Sequence, residues 1–560
     1  MSQSRDDTPT GPIGGQTQRI AVHATGSADG AAVAGAEPTR RWNTVCDLTA
    51  AALLVAALLL PWNLYFGVGI PGSNSTLFAV VLAVTLLSLV SLAVSRVGPM
   101  RSNPALASRL RLGLNVPYLL LVLAFIGFDA FETVRFGGTV HVPGGIGPGA
   151  WLGIAGSLLS ARPAITTPAD DKVGSSRIIG YASMVGAVGS FGFNLYWRVR
   201  YALHGAGGSS DFGKQNIAVI VTAVVYGVVA LVAVLVASGW LLRSTKARRL
   251  ATVALGASAL VAGIIVWTLP VGRDIDAFHG IAQNTSTAGV GFEGYLAWVA
   301  AAAIFVPRTL FGRPSAPERN AWRAAARNGL LLIAVWCLGS MAMRITDLVV
   351  AVSLNYPFSR YDSVVLAAFD LATAVLAIWL RVNLANDALS ARLITSLCGL
   401  VATLSIARVI VGVALAPRFA ASPNSPAQHP VYGNDLAQQI TSTFDVALAG
   451  LALCILGAAI IMGHLSGRRL RRSGRRAADK RAVPAGASPP SAAPRVQVSR
   501  TAPPSAAATT RIRTGPATES PTTVIPQLAR SPRIFRGDDS ATRQIPIQKP
   551  RIFRPPQDSA

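Results

Sequence analysis

The sequence predicts an all-α polytopic membrane protein with about twelve transmembrane helices. Of its 560 residues, 51% are hydrophobic and only 13% are charged, which is far more apolar than a typical soluble protein. Runs of about 20 mainly apolar residues, enough to cross roughly 30 Å of hydrocarbon, recur through the middle of the chain. They lie near residues 44–64, 76–95, 112–134, 146–161, 178–197, 217–242, 250–270, 290–306, 329–354, 362–380, 393–416 and 440–464.

The fourth and eighth of these runs are shorter than the others and rich in Gly or Ala. A segment of about 16 residues can be a short span, a helix that leans on tilted neighbours or a re-entrant segment. These three alternatives remain open for both runs.

The basic residues of the loops predict the orientation of the helices. Loops that follow even-numbered spans hold 18 Lys and Arg residues, whereas loops that follow odd-numbered spans hold 7. Because basic loops stay in the cytoplasm, we expect a multi-pass protein of the cell (cytoplasmic) membrane with both termini inside. No apolar segment typical of a signal peptide precedes the first span, so we expect that span to direct insertion.

Three short matches predict that a unit of four helices is duplicated. NLYF from Asn63 matches NLYW from Asn194, and DAF occurs at Asp129 and at Asp276. GIGPGAWLG, which begins at residue 145, matches GVGFEGYLA, which begins at residue 289. An even number of helices per copy makes the copies parallel, as in transporters built from parallel repeats. The last four spans show no comparable match, and whether they are a third copy stays open.

These features divide the chain into five parts. The tails are rich in polar residues, Pro and Arg and poor in large apolar residues, so we expect them to be disordered in the cytoplasm. The parts are the N-terminal tail (1–41), the first membrane unit (42–177), the second membrane unit (178–328), the last four spans (329–464) and the C-terminal tail (465–560).

Ionisable residues are concentrated in the last four spans. An ionisable side chain inside a membrane is costly and marks a candidate functional site. If all of them face the interior, two cations and three anions nearly neutralise one another, and one acid is left as a candidate proton or cation site. The alternative is a set of buried pairs that serve helix packing alone. The residues are Arg344, Asp347, Asp370, Arg408 and Asp445.

Much of the net charge of +25 lies in the C-terminal tail, where 17 Arg and 2 Lys face 5 acids. A basic segment next to a span attracts anionic lipid headgroups, so the charge does not require a nucleic-acid partner. We therefore predict anionic lipids, and no nucleic acid, as partners of Arg468, Arg469, Arg471, Arg472, Arg475 and Arg476.

The tails repeat the pattern Thr-x-x-Ile more often than their composition predicts. Such spacing is similar to the phosphothreonine sites of bacterial Ser/Thr kinases, read by forkhead-associated domains through the phosphate and the third residue beyond it. The resemblance implies a kinase and a forkhead-associated partner, and composition bias is the alternative explanation. The threonines are Thr10, Thr17, Thr509, Thr522 and Thr542.

The sequence offers no pattern typical of a catalytic, metal or cofactor site. The histidines lack paired spacing such as HxxxH, the cysteines lack CxxC, and GGIGPG lacks the Lys-Ser/Thr of a phosphate-binding loop. Multi-pass glycosyltransferases that use polyprenyl-phosphate sugars typically carry an acid in the first outer loop, which YFGVGIPGSNST lacks. We therefore expect no cofactor, no metal and no enzymatic activity.

By architecture, residues 42–464 resemble the conserved multi-pass membrane proteins of actinobacteria, a resemblance that transfers no activity. The leading functional hypothesis is a transporter or flippase-like protein of the cell envelope. The rival hypothesis is a non-catalytic scaffold whose tails, once phosphorylated, recruit envelope or division proteins.

Overall fold

The computed structural model is helical throughout the parts of the chain that it describes. Those parts are residues 28–62, 74–94, 103–136, 146–163, 174–205, 213–243, 245–268, 292–310, 316–355, 360–386, 389–415 and 443–481. Each of them holds one helix. The helices are α1 (Ala28–Leu59), α2 (Ser75–Val94), α3 (Pro104–Phe136), α4 (Pro148–Ala161), α5 (Gly174–Gly205), α6 (Lys214–Leu242), α7 (Lys246–Thr268), α8 (Phe292–Thr309), α9 (Ala316–Leu354), α10 (Arg360–Asn383), α11 (Ala391–Leu415) and α12 (Thr443–Arg481).

Nine of the helices described are long and apolar enough to cross a membrane, which confirms the prediction of many long apolar helices and is compatible with a membrane protein. The nine are α1, α2, α3, α6, α7, α9, α10, α11 and α12. The other three are α4, which has only 14 residues, α8, which has 18, and α5, which is long but rich in Gly and Ser. For these three helices a membrane crossing stays a prediction.

Several helices extend beyond the predicted spans, and two of them reach into the predicted tails. The first, α1, begins at Ala28, inside the segment predicted to be a tail. The last, α12, continues through the basic residues to Arg481. The predicted lipid-contacting arginines at 468–476 therefore follow a span without a break in the helix.

Many small side chains lie in the interior of the helix bundle beside buried aromatic and Leu side chains, and many large aliphatic side chains face outward. Helix α6 illustrates this division, because Ala230, Ala233 and Ala237 are buried while Val228 and Val232 are exposed. Small residues let helices approach closely in a membrane, where burial of apolar side chains provides little driving force between helices.

Helix α7 lies at the centre of the bundle and contacts α4, α6, α8, α9 and α12. One hydrophobic core runs through all of these elements, from Leu54 in α1 to Ile455 in α12. The last four helices are therefore packed onto the first eight through α9, which contacts α6 and α7, and through α12, which contacts α7.

Two glycines of the GIGPG motif explain how α4 is held. The amides of Gly147 and Gly149 donate hydrogen bonds to the carbonyls of Trp62 and Pro61 at 2.8 and 2.9 Å. A Cβ atom at either glycine would lie 2.6 Å from a carbonyl oxygen, that of Pro61 or Leu60. The motif thus serves the close packing of the start of α4 on the end of α1.

Candidate functional site

The structure brings all five predicted charged residues together in the interior. Arg344 and Asp347 come from α9, Asp370 from α10, Arg408 from α11 and Asp445 from α12. Each is at most 7% exposed. Four helices therefore contribute to one buried cluster, called here the charge network.

Asp370 is the centre of the charge network and is completely buried. Its Oδ2 atom accepts a hydrogen bond from Nε of Arg344 at 2.9 Å, and its Oδ1 atom pairs with Nε of Arg408. Nη1 of Arg408 donates to Oδ1 of Asp445 at 2.6 Å. These contacts form a continuous chain, Arg344–Asp370–Arg408–Asp445, in which two positive and two negative charges cancel.

Two neutral side chains of α9 complete the hydrogen bonding of this chain. Ser340 accepts a hydrogen bond from Nη2 of Arg408 at 2.7 Å, and the indole N–H of Trp336 donates to Oδ1 of Asp445 at 2.5 Å. Sequence reasoning missed both residues. Their spacing was the available signal, because Trp336, Ser340 and Arg344 follow one another at intervals of four and share one helix face.

Asp347 is the acid left over from the chain of ion pairs. Its Oδ2 atom accepts a short hydrogen bond from the hydroxyl of Tyr226 in α6. Its Oδ1 atom is buried and has no hydrogen-bond partner among the described residues. Tyr226 was also missed, since nothing in the sequence indicates that α6 and α9 are neighbours.

Aromatic rings cover the charge network at the end where α12 begins. Phe444 packs edge-on against Trp336, with ring centroids 4.6 Å apart, and contacts Trp298 and Tyr295 of α8 at 5.6 and 6.4 Å. Tyr295 in turn stacks on Trp151 of α4 at 4.6 Å. The starts of α4, α8 and α12 thus meet in one aromatic cluster, which shields the ion pairs from that end of the bundle.

A cavity of about 130 Å³ lies near the other end of the last four helices. It is lined by residues such as Trp322, Arg323, Cys398, Ile455 and Met462, and by none of the charge network. Four of the five charges therefore pair with one another, and none of the five lines this cavity.

The remaining predicted sites are not tested by the structure. Thr10, Thr17, Thr509, Thr522 and Thr542 lie outside the described residues. The arginines at 468–476 lie in the helical backbone of α12, and the positions of their side chains are outside the description. Over the described ranges, no group of three His, Cys, Asp or Glu side chains is placed to hold a metal ion.

Comparison with known proteins gives a family and no activity. No curated protein and no solved structure matches the chain. One family model matches residues 43–464. This range contains helices α2 to α11 in full, together with parts of α1 and α12. The chain therefore belongs to the family described as a domain of unknown function, DUF7937.

Proposed function

We propose that this protein is a secondary transporter, or a flippase-like protein of the cell envelope, in which Asp347 takes up and releases a proton or small cation. The observation that carries the proposal is that Asp347 is buried in an apolar helix, lacks an arginine partner in the ion-pair chain and has an unpartnered Oδ1 atom. A buried carboxylate with one oxygen left without a hydrogen bond is costly unless it binds a cation or a proton, so its retention favours a function.

The position of Asp347 supports a coupling role. Its hydrogen bond from Tyr226 joins α9 to α6, and so links the last four helices to the first eight. A carboxylate accepts this bond more strongly than a neutral carboxyl group does. Protonation would therefore weaken the link and change the net charge of the network from −1 to zero.

The predicted duplication fits the same proposal. In each predicted four-helix unit the short fourth helix contacts the three helices before it: α4 packs on α1, α2 and α3, and α8 packs on α5, α6 and α7. Trp151 and Tyr295, which occupy matching positions in the two copies, stack on each other. Transporters are commonly built from repeats that meet in the interior of the protein.

The direct test is protonation of Asp347 in the purified protein. Infrared difference spectra between low and high pH should show a protonated-carboxyl band that disappears in Asp347→Asn and shifts in Tyr226→Phe. Asp362→Asn, at the start of α10, is the control and should keep the band. A wild-type spectrum without such a band at any pH, and without a change on adding sodium, contradicts the proposal.

Transport is tested with the proton itself as probe. In proteoliposomes with a pH-sensitive dye inside, an imposed pH gradient should decay faster with the wild type than with empty liposomes. Asp347→Asn should slow this decay at least tenfold, whereas Asp362→Asn should not. Equal decay for wild type and Asp347→Asn would remove Asp347 from any proton pathway.

The scaffold remains the second candidate. Two observations favour it: the ion pairs around Asp370 compensate one another, and none of the five charged residues lines the cavity. Truncation after residue 482 distinguishes the two. A scaffold should lose recruitment of its partners, whereas a transporter should keep the proton flux described above.

A further inference from the structure

We propose that Arg162 and Arg111 form a binding site for a phosphate group at the end of the bundle where α4 ends and α1 and α3 begin. This site lies in the first four helices, away from the charge network of α9–α12, and it goes beyond the proposed transport function.

The two arginines are held side by side on α1. Nη2 of Arg162, the residue that follows α4, donates to Oδ1 of Asn43 at 3.2 Å, and Nη2 of Arg111 in α3 donates to Oδ1 of Asp47 at 2.5 Å. Asn43 and Asp47 are four residues apart, which places them on one face of α1 in adjacent turns, about 5–6 Å from each other. The guanidinium groups attached to them are therefore neighbours.

Three guanidinium nitrogens of this pair are buried and have no hydrogen-bond partner among the described residues. They are Nε and Nη1 of Arg162 and Nε of Arg111. A buried donor without a partner is costly, and more so when the group is charged. The protein tolerates this cost three times in one place, which indicates an acceptor that is not part of the described chain.

The charge of the surroundings selects an anion. The Asp47 carboxylate attracts Arg162, but it already pairs with Arg111. Arg111 and Arg308 of α8 both repel Arg162. Burial is the main cause that lowers the pKa of the Arg162 guanidinium, and repulsion by these two arginines adds to it. An anion with several acceptor oxygens would satisfy the free donors and offset the excess positive charge.

A phosphate group fits these donors best. Arginine presents planar pairs of N–H groups that match phosphate oxygens in bidentate fashion, and adjacent arginines can share one tetrahedral anion. Positive-inside counting predicts this end of the bundle to be cytoplasmic, at the level of the lipid headgroups. Two sources share the chemistry: the phosphate of a phospholipid headgroup and a soluble phosphate compound.

The alternative is that Arg162 serves folding alone, through the negative end of the α4 dipole. The two interpretations predict opposite effects in the absence of a ligand. A structural arginine should lower the melting temperature when replaced, whereas removal of a half-buried cation with unsatisfied donors should leave the melting temperature of the ligand-free protein unchanged or raise it.

The test uses the full chain, purified in a phosphate-free, uncharged detergent, with inorganic phosphate and phosphatidylglycerol as separate probes. Thermal unfolding should shift upward with at least one probe for the wild type. Arg162→Gln should weaken that probe at least tenfold while keeping the ligand-free melting temperature, and Arg162→Lys should be intermediate. Arg109→Gln, which removes an exposed arginine of α3 two residues from Arg111, is the matched control and should behave as wild type.

Each outcome decides the proposal. Stabilisation by phosphate identifies a site open to soluble compounds, and stabilisation by phosphatidylglycerol alone identifies a headgroup site; both support it. No effect of either probe, equal weakening by Arg109→Gln, or a lower ligand-free melting temperature of Arg162→Gln overturns it. Asp170 and Asp171 follow Arg162 and lie outside the described residues. If phosphate or phosphatidylglycerol binds only after both are replaced by Asn, the two carboxylates are the partners of Arg162, and the proposal is overturned.

Discussion

At the scale of single residues, Asp370 and Asp347 show how two buried acids in one cluster differ. Asp370 binds two arginines from two helices, and its charge is fully compensated. Asp347, on the neighbouring helix α9, has a tyrosine instead. The first residue joins three helices through its ion pairs, whereas the second is the residue to which the function proposed above assigns proton or cation uptake.

This difference predicts unequal costs for the same substitution. Asp370→Asn leaves Arg344 and Arg408 without their shared carboxylate, and we expect it to reduce stability by about 3 kcal/mol or more. Asp347→Asn keeps an acceptor for the Tyr226 hydroxyl and should cost less than about 1 kcal/mol. Thermal unfolding of the two variants in detergent, beside the wild type, measures the difference. Equal destabilisation would mean that Asp347 is also part of the structural ion pairing.

At the scale of elements, the starts of the short helices determine how the units join. Gly149 places the backbone of α4 against the end of α1, and a Cβ atom there would lie 2.5 Å from Cδ1 of Trp62. The glycine is therefore required by close approach, and the sequence motif that suggested a repeat has a packing cause.

Two glycine-to-alanine substitutions test this packing. Gly149→Ala should reduce stability by about 2 kcal/mol, because the bundle has to shift to accommodate the methyl group. Gly189→Ala in α5 is the matched control: no neighbouring atom lies within 4 Å of the added Cβ, and the alanine should increase stability by about 0.5–1 kcal/mol through helix propensity. The melting temperatures should thus change in opposite directions. A tolerated Gly149→Ala would show that α4 is free to move relative to α1.

Two helix starts, those of α8 and α12, share a short stretch of sequence. Helix α8 begins with FEGYLA from Phe292 and α12 has FDVALA from Phe444, so Phe, an acid, Leu and Ala coincide. Tyr295 and Phe444, which belong to these two stretches, meet in the aromatic cluster with Trp151 of α4. The match covers only four residues, and whether α9–α12 are a third copy of the unit stays open.

At the scale of the whole molecule, the tails decide whether the membrane part acts alone. If positive-inside counting is right, Thr522 and Thr542 are in the cytoplasm, where a kinase and ATP are available. A phosphate would add nearly two negative charges beside a strongly basic segment. The same chain would then carry both a membrane function and a regulated recruitment site.

We predict that protein isolated from growing cells carries phosphate at Thr522 or Thr542. Phosphopeptide mass spectrometry measures it, and replacement of both threonines by Ala should abolish binding of a forkhead-associated domain to the tail. Thr523→Ala, which changes a neighbouring threonine that lacks Ile three residues later, is the control and should leave that binding unchanged. Absence of phosphate from both sites in growing cells would leave the Thr-x-x-Ile pattern as a product of composition.

The sequence by itself determined the membrane class, most helices and the five members of the charge network, since long apolar runs and rare intramembrane charges are properties of single segments. It also indicated that one acid would be left over. Only the tertiary structure decided that this acid is Asp347, that Tyr226, Trp336 and Ser340 complete the network, and that Arg162 lies beside Arg111. Each of these facts depends on which helices are neighbours, and contacts between distant helices leave no periodic trace in the sequence of either one.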